Sequence, residues 1–321
     1  MANTMIENPK LSVCMITYNH ERFIAQAIES VLEQKTAFDF ELVIGEDCST
    51  DGTRTIVMRY AQRYPAKIRA FIRDKNLGLG RNGPQTINEC HGQYVAMLEG
   101  DDYWIDPDKL QMQVDFLDAN PSYSLCCHRC KIYDEETGAL VDDDDQKLFV
   151  DGEKGKDITT DIFFTSWVPS TLTVVFRKEL FDINIATNNY LYDAPLYFDL
   201  LSKGNGYFLN YSGAIYRKHH GGMYSKKSMF ARAELIYLTY KNLYKVRRSP
   251  LVKKIYISRC IHLIYCAMVS RKRPYLNIGL YKYIFNLFLL SPPCFCKSLI
   301  KVTAIGFLHH PHDPTIKKAN A

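Results

Sequence analysis

Leu98-Glu99-Gly100-Asp101-Asp102-Tyr103-Trp104 joins an apolar run to a cluster of carboxylates. Ahead of it, Tyr94-Val95-Ala96-Met97-Leu98 has the pattern of a strand buried on both faces. Behind it, Asp106 suits a helix N-cap and Pro107 the first helical position, where a missing N–H costs nothing. Glu99, Asp101 and Asp102 therefore crowd the end of a buried strand, where open α/β sheets bind ligands. Carboxylates this close repel one another, and a hard divalent cation would offset the repulsion. The plainer alternative is an acidic turn solvated by water.

Around this centre the chain alternates strand and helix. Residues 11–18 read as a first strand, and Phe23, Ile24, Ala27, Ile28, Val31 and Leu32 mark one face of a helix over 21–33. A second strand is expected at 40–45, a second helix at 53–63, a third strand at 68–72 and a short helix at 84–90. Strands separated by helices predict an α/β fold with a mostly parallel sheet and helices on both faces.

Composition sets the bounds. At 321 residues, with 47% hydrophobic and 23% charged, the chain is long enough for one large or two modest globular domains. The net charge of +5 conceals an asymmetry: from Lys241 onward there are 15 Lys and Arg against Asp313 alone, a segment of +14 that leaves −9 for the rest. An acidic body with a basic tail implies a negative partner, membrane lipid or nucleic acid. The ten cysteines follow no regular spacing, and residues 1–4 lack a charged-then-apolar secretory pattern, so reduced thiols and a cytoplasmic location are expected. Cys126-Cys127-His128-Arg129-Cys130 has no matching second pair for a zinc site, which favours buried strand cysteines.

The remaining strand ends add polar rims. The second strand ends in Glu46-Asp47-Cys48-Ser49-Thr50-Asp51-Gly52-Thr53, with free N–H groups where a helix opens. The first ends in Thr17-Tyr18-Asn19-His20, whose aromatic ring can cover a flat base. Asn76-Leu77-Gly78-Leu79-Gly80-Arg81-Asn82-Gly83 carries three glycines for close backbone approach and an Arg that can reach an anion.

Taken in order, residues 11–19, 46–53, 76–82 and 98–104 resemble the successive motifs of family 2 glycosyltransferases with the GT-A, Rossmann-like fold. The likeness covers roughly residues 10–225. It implies a nucleotide site formed by Thr17, Tyr18, Asn19, Asp47, Arg81 and Asp101, with Tyr18 beside the base and Asp47 accepting from the base's ring N–H. Glu99-Gly100-Asp101-Asp102 is similar to the family's Asp-X-Asp motif, which holds a divalent cation (Mn2+ or Mg2+) on the donor's diphosphate. Glu99 stands where the family often has Asp.

Farther on, Asp193 precedes a helix expected to start around Pro195. Its position suits a plain N-cap, and it resembles the family's catalytic base. Asp199, six residues on, lies on another face. Tyr216-Arg217-Lys218-His219, after a short strand over 213–216, looks like the family's Tyr-Arg-X-His segment, where the His approaches the metal. That resemblance makes the metal set Asp101, Asp102 and His219, with Gly221-Gly222 in a closing loop. Asp142-Asp143-Asp144-Asp145 reads as a solvated loop, and residues 167–176 as a strand, which the resemblance places beside the acceptor cleft.

From Phe230 the character changes. Lys241, Lys245 and Arg248 share one helical face, and the uncharged runs 260–270 and 283–296, the second broken by Pro292-Pro293, are too short to span a bilayer. Basic helices lying on an anionic membrane fit this pattern, as does a helical cap.

The reading that follows is a metal-dependent, inverting glycosyltransferase of hexosyltransferase type, with residues 1–228 catalytic and 229–321 a basic helical region. It would use a nucleotide-diphosphate sugar, UDP-linked by preference, and a glycan or lipid-linked acceptor in surface-polysaccharide synthesis. Its expected place is the cytoplasm, peripheral on the inner face of the membrane, with no nucleic-acid partner. The alternatives are a sugar-phosphate nucleotidyltransferase and a non-catalytic polysaccharide- or nucleic-acid-binding protein.

Overall fold

The computed structural model describes residues 8–143, 149, 152–165, 169–222, 227–269 and 278–291. Residues 1–4, Asp144, Asp145, Trp167, Val168, residues 223–225, residue 270 and residues 292–321, on which parts of the reading above fall, lie outside that set.

The chain divides into two compact units, Met1–Lys226 and Lys227–Ala321. The first opens with β1 (Leu11–Thr17), α1 (Ile24–Leu32), β2 (Phe40–Glu46), α2 (Thr53–Arg63) and β3 (Ile68–Ile72). There follow α3 (Leu79–Asn88), β4 (Tyr94–Glu99), β5 (Tyr103–Trp104), α4 (Lys109–Ala119), β6 (Tyr123–Asp134) and β7 (Leu140–Asp142). The unit continues through β8 (Gly155–Ile158), α5 (Thr160–Thr165), β9 (Val175–Arg177), α6 (Ile183–Ala186), α7 (Asp193–Leu201) and β10 (Asn205–Lys218).

One sheet runs in the order β3-β2-β1-β4-β9-β6-β10-β5, with β7 on β6 and β8 on β10. The first four strands are parallel throughout. Every residue of β1 and β2 is buried, which requires cover on both faces because successive side chains point opposite ways. Leu11, Val13 and Met15 pack with Ile24, Ala27, Ile28 and Val31 of α1 in the main core. Short β9 runs antiparallel between β4 and β6, and β6 and β10 are again parallel. Register matters most for function: Ile16 lies opposite Glu99 and Thr17 opposite Glu46, so the carboxyl ends of three strands finish level.

Four expectations are corrected. The third helix begins at Leu79, five residues before the expected start, and carries Pro84 in its first two turns. The fourth begins at Lys109, because Asp106 closes a turn onto the Asp108 N–H (2.9 Å) rather than capping the helix. The described part of 167–176 is a 3-10 turn, Thr171–Thr173, followed by β9. The strand expected at 213–216 is a 14-residue strand whose register shifts around Leu209 and Ser212. Those irregularities fall at Asn210-Tyr211-Ser212-Gly213, polar and small residues that interrupt strand periodicity. Cys126, Cys127 and Cys130 are buried in β6, as expected.

The second unit contains α8 (Met229–Val246), α9 (Pro250–Val269) and α10 (Ile278–Leu290). Ser228 caps α8 by accepting from the Ala231 N–H. Arg248 falls beyond the end of α8, off the face it was expected to share with Lys241 and Lys245. Tyr237, Tyr256, Leu263, Tyr283 and Leu287 form its buried interior. Asn286 Nδ2 donates to the hydroxyls of both Tyr237 (3.0 Å) and Tyr256 (2.7 Å). Among the described residues no helix is long and apolar enough to cross a membrane.

Candidate active site

The site grows from the level ends of β1, β2 and β4. After β1 the chain turns at Asn19, whose φ of 57° is left-handed, a conformation Asn tolerates better than most residues. Asn19 Oδ1 accepts the Thr50 N–H (2.8 Å) and its own N–H donates to Ser49 Oγ (3.0 Å). Asn19 thus ties the first rim to the second, and beside it Tyr18 is 41% exposed. Thr17 is buried, and its Oγ1 has no hydrogen-bond partner among the described residues.

After β2, Asp47 is clasped by backbone. Its N–H donates to the Thr17 carbonyl (3.0 Å), while its carboxylate accepts the N–H groups of Leu77 (2.7 Å) and Gly78 (2.9 Å). Burial raises its pKa, and those two N–H groups pull the other way. A carboxylate offers about four lone-pair sites, so acceptor capacity remains on both oxygens.

The glycine-rich stretch does a different job from the one expected. Only Gly78 has a positive φ (76°). Gly80 and Gly83 lie within α3, where a Cβ on Gly80 would stand 2.4 Å from the Asn188 carbonyl and one on Gly83 3.1 Å from the Tyr192 ring. Their missing side chains seat residues 188–192, the segment that leads into Asp193. Arg81 Nε donates to Asn189 Oδ1 (2.9 Å) and holds the same segment.

Beyond β4 the acidic turn separates its members. Asp102 is buried, and its Oδ1 accepts the Arg217 N–H (2.8 Å). Asp101 Oδ2 lies 3.1 Å from His219 Nε2 and 3.5 Å from His20 Nε2. The Gly221 N–H donates to His219 Nδ1 (3.1 Å), so the neutral ring carries its proton on Nε2 and directs it at Asp101. Burial pushes Asp101 up, but His20 and His219 together hold it below the usual carboxylate range. Glu99 goes the other way: burial, then the charges of Asp101 and Asp193, raise it to about 8. Asp102 is raised for the same reasons, burial first and then Asp101 and Glu99.

Asp193 sits in the first turn of α7 and its Oδ1 accepts the Ala194 N–H (2.7 Å). The helix starts two residues earlier than expected, so Asp193 lies inside its first turn. Burial raises its pKa, against its hydrogen bonds to backbone. The preceding Tyr192 hydroxyl is 3.4 Å from Glu99 Oε1, which links α7 to the acidic turn. Asp199 is bound to Lys203 Nζ (2.6 Å), away from this work.

The sequence reading missed two members. His20 closes on Asp101 with its Nδ1 buried and without a partner among the described residues. Arg217 is buried with its guanidinium 4.6 Å from the Phe23 ring centroid and 4.8 Å from that of Tyr103. It donates to the Asp101 carbonyl (3.0 Å) and Gln26 Oε1 (2.6 Å). His20 stood beside the Tyr18-Asn19 rim and Arg217 inside the Tyr216–His219 segment, but the partners that give them their roles are distant in sequence.

Among the described residues no group of three or more His, Cys, Asp or Glu converges as a complete cation cage. The donor set suits a cation held by one or two protein ligands and completed by substrate phosphates, as Mg2+ commonly is. Asp101 fits directly. His219 fits once its proton moves to Nδ1, which requires the Gly221 N–H to release that atom.

Residues 12–172 match the family described as Glycosyl transferase family 2. An uncharacterized protein of Mycobacterium tuberculosis strain H37Rv is 32% identical over 214 residues, which make up 67% of this chain. The chain spans 60% of that relative's length. The Bacillus subtilis protein TuaG, named as a teichuronic acid biosynthesis glycosyltransferase, is 28% identical over 68% of this chain and 83% of its own. S. aureus TarS 1-349, solved with UDP-GlcNAc, superposes with a TM-score of 0.58 at 19% identity, covering 80% of this chain and 81% of its own. The mannosyltransferase PcManGT of Pyrobaculum calidifontis, solved with GDP-Man and Mn2+, gives a TM-score of 0.53 at 15% identity over 96% and 90%. At those identities the structural likeness is one of fold.

Proposed function

Because the chain belongs to glycosyl transferase family 2, with the GT-A fold, we propose that it transfers a sugar from a nucleotide diphosphate to a hydroxyl acceptor with inversion. The reading rests on one observation above the rest. Asp101 and His219 share a hydrogen bond at the strand ends, beside Glu99, which in turn faces Tyr192 at the start of the Asp193 helix. This reading puts a binding site for a charged donor and a base on the acceptor side within one cluster.

In this reading Tyr18 lies on the base and Asp47 accepts from its ring N–H, with uracil preferred. Thr17 Oγ1 is available to the donor, and Asn19 and Arg81 serve by holding the rim and the Asp193 segment. Asp101 and His219 would hold a divalent cation, Mn2+ or Mg2+, and Asp102 would fix the end of the strand that leads into His219. Bound there, the cation would neutralise charge growing on the diphosphate leaving group. Asp193 takes the proton of the attacking hydroxyl, and its raised pKa makes it the stronger base.

The TuaG relative supports a place in surface-polysaccharide synthesis, with a glycan or lipid-linked acceptor. We assign the chemistry to residues 1–228 and a peripheral position on the inner face of the membrane to residues 229–321. The nucleotidyltransferase and non-catalytic alternatives give way to the family match.

The test is a thermal-shift screen of nucleotide sugars with and without Mn2+, followed by assay of nucleoside diphosphate release. Stabilisation by one donor class that requires the cation is expected. Absence of any donor effect, or full turnover in excess chelator, would overturn the reading.

A further inference from the structure

We propose that α10 faces lipid: Tyr281, Phe285, Phe288 and Leu289 enter the headgroup and acyl boundary of an anionic membrane. These four are 55%, 62%, 45% and 65% exposed. Their spacing of four, three and one places them on a single stripe about 100° wide. On the opposite side Tyr283 and Leu287 are 7% and 2% exposed within the unit and Asn286 binds Tyr237 and Tyr256. The helix is therefore apolar on both sides, whereas a helix with one face in water is polar there. A contiguous exposed apolar face of this kind marks an interaction surface.

Charge identifies the occupant. The described residues of the second unit hold ten Lys and Arg against a single acid, Glu234, which is itself bound by the Tyr283 hydroxyl. Lys245, Arg248, Lys254 and Lys282 are exposed. Lys282 follows directly on Tyr281, at the edge of the stripe. Exposed aromatic and leucine side chains on a unit of strongly basic charge match an interface of anionic headgroups over acyl chains. Thirteen residues extend about 20 Å, short of the ~30 Å hydrocarbon core, so α10 lies along the surface rather than across it. The inference deepens the peripheral placement proposed above and leaves the chemistry aside.

The experiment is flotation of the full-length protein with phosphatidylcholine vesicles, with and without phosphatidylglycerol. It compares the wild type with the double variant Phe285→Ser/Leu289→Ser, whose melting temperature is measured alongside. The wild type should float with anionic vesicles only and lose binding as salt rises. The double variant should bind at least about tenfold more weakly, at an unchanged melting temperature. In Phe285→Trp, tryptophan emission should shift to the blue on anionic vesicles. Equal flotation of wild type and double variant, indifference to lipid charge, or no spectral shift would overturn the proposal. So would a dimer that the double variant abolishes, since a second copy would then cover the face. Vesicle binding is read without a sugar donor, so its failure leaves the transferase reading standing.

Discussion

Asp101 and Asp102 are neighbours with opposite surroundings. Asp101 is held ionised by two histidines, whereas Asp102 is turned inward and holds the Arg217 N–H. Asp101→Asn should therefore abolish cation-dependent donor binding and leave the melting temperature unchanged. Asp102→Ala strands a buried donor, which costs about 1–3 kcal/mol, so it should lower both stability and transfer. Thermal melts of both variants with and without UDP and Mn2+ separate the two. Normal stability with lost cation binding in Asp102→Ala would return Asp102 to the metal. Asp193→Asn should lower kcat by about 10²-fold or more with donor KM unchanged. A raised KM at normal kcat would mark Asp193 as a binding residue.

At the scale of elements, α3 shows how glycine can serve packing. Gly80→Ala places a Cβ 2.4 Å from the Asn188 carbonyl, and backbone cannot yield as a side chain does. A loss of about 1–3 kcal/mol is expected, together with lower transfer because the displaced segment carries Asp193. Unchanged kcat in a destabilised Gly80→Ala would break that link. In α4, Lys109 is fully buried, bound to Gln113 Oε1 (2.8 Å) and stacked 4.1 Å over Trp104. Burial lowers its pKa from 10.5 to about 7. Between those values the unfolded chain binds the extra proton, so this group makes the fold less stable as pH falls from about 10.5 to about 7. Lys109→Met should stabilise the protein at pH 7 by on the order of 1–4 kcal/mol, with the gain shrinking toward high pH. Chemical denaturation at pH 7 and pH 9 checks this. A variant less stable at both pH values would show that the Gln113 and Trp104 contacts outweigh the burial cost.

On the scale of the molecule, two compact units predict two unfolding transitions. Leu263 is fully buried in the second unit. Leu263→Ala should cost about 2–5 kcal/mol and shift only the calorimetric transition that UDP and Mn2+ leave unmoved. A single transition, or displacement of the donor-stabilised one, would make the two units one cooperative body.

The sequence by itself determined the α/β class and the polar strand ends, and its resemblance to family 2 glycosyltransferases supplied the candidates Asp47, Asp101, Asp193 and His219. Those features are local: apolar runs, turn residues and acids at fixed short spacings. The basic excess after Lys241 was equally plain, because charge is additive along a chain. Tertiary structure alone decided what each polar atom binds. Asp102 and Arg217 meet across more than a hundred residues, as do Asp101 and His219, and no local pattern encodes such a pair. The glycines of α3 read as room for close backbone approach beside an Arg that can reach an anion, because glycine signals close approach without naming the partner. Here the partner is the chain's own backbone at Asn188. The exposed apolar stripe of α10 likewise required burial to be known, since an apolar helix in sequence does not say which of its faces is buried.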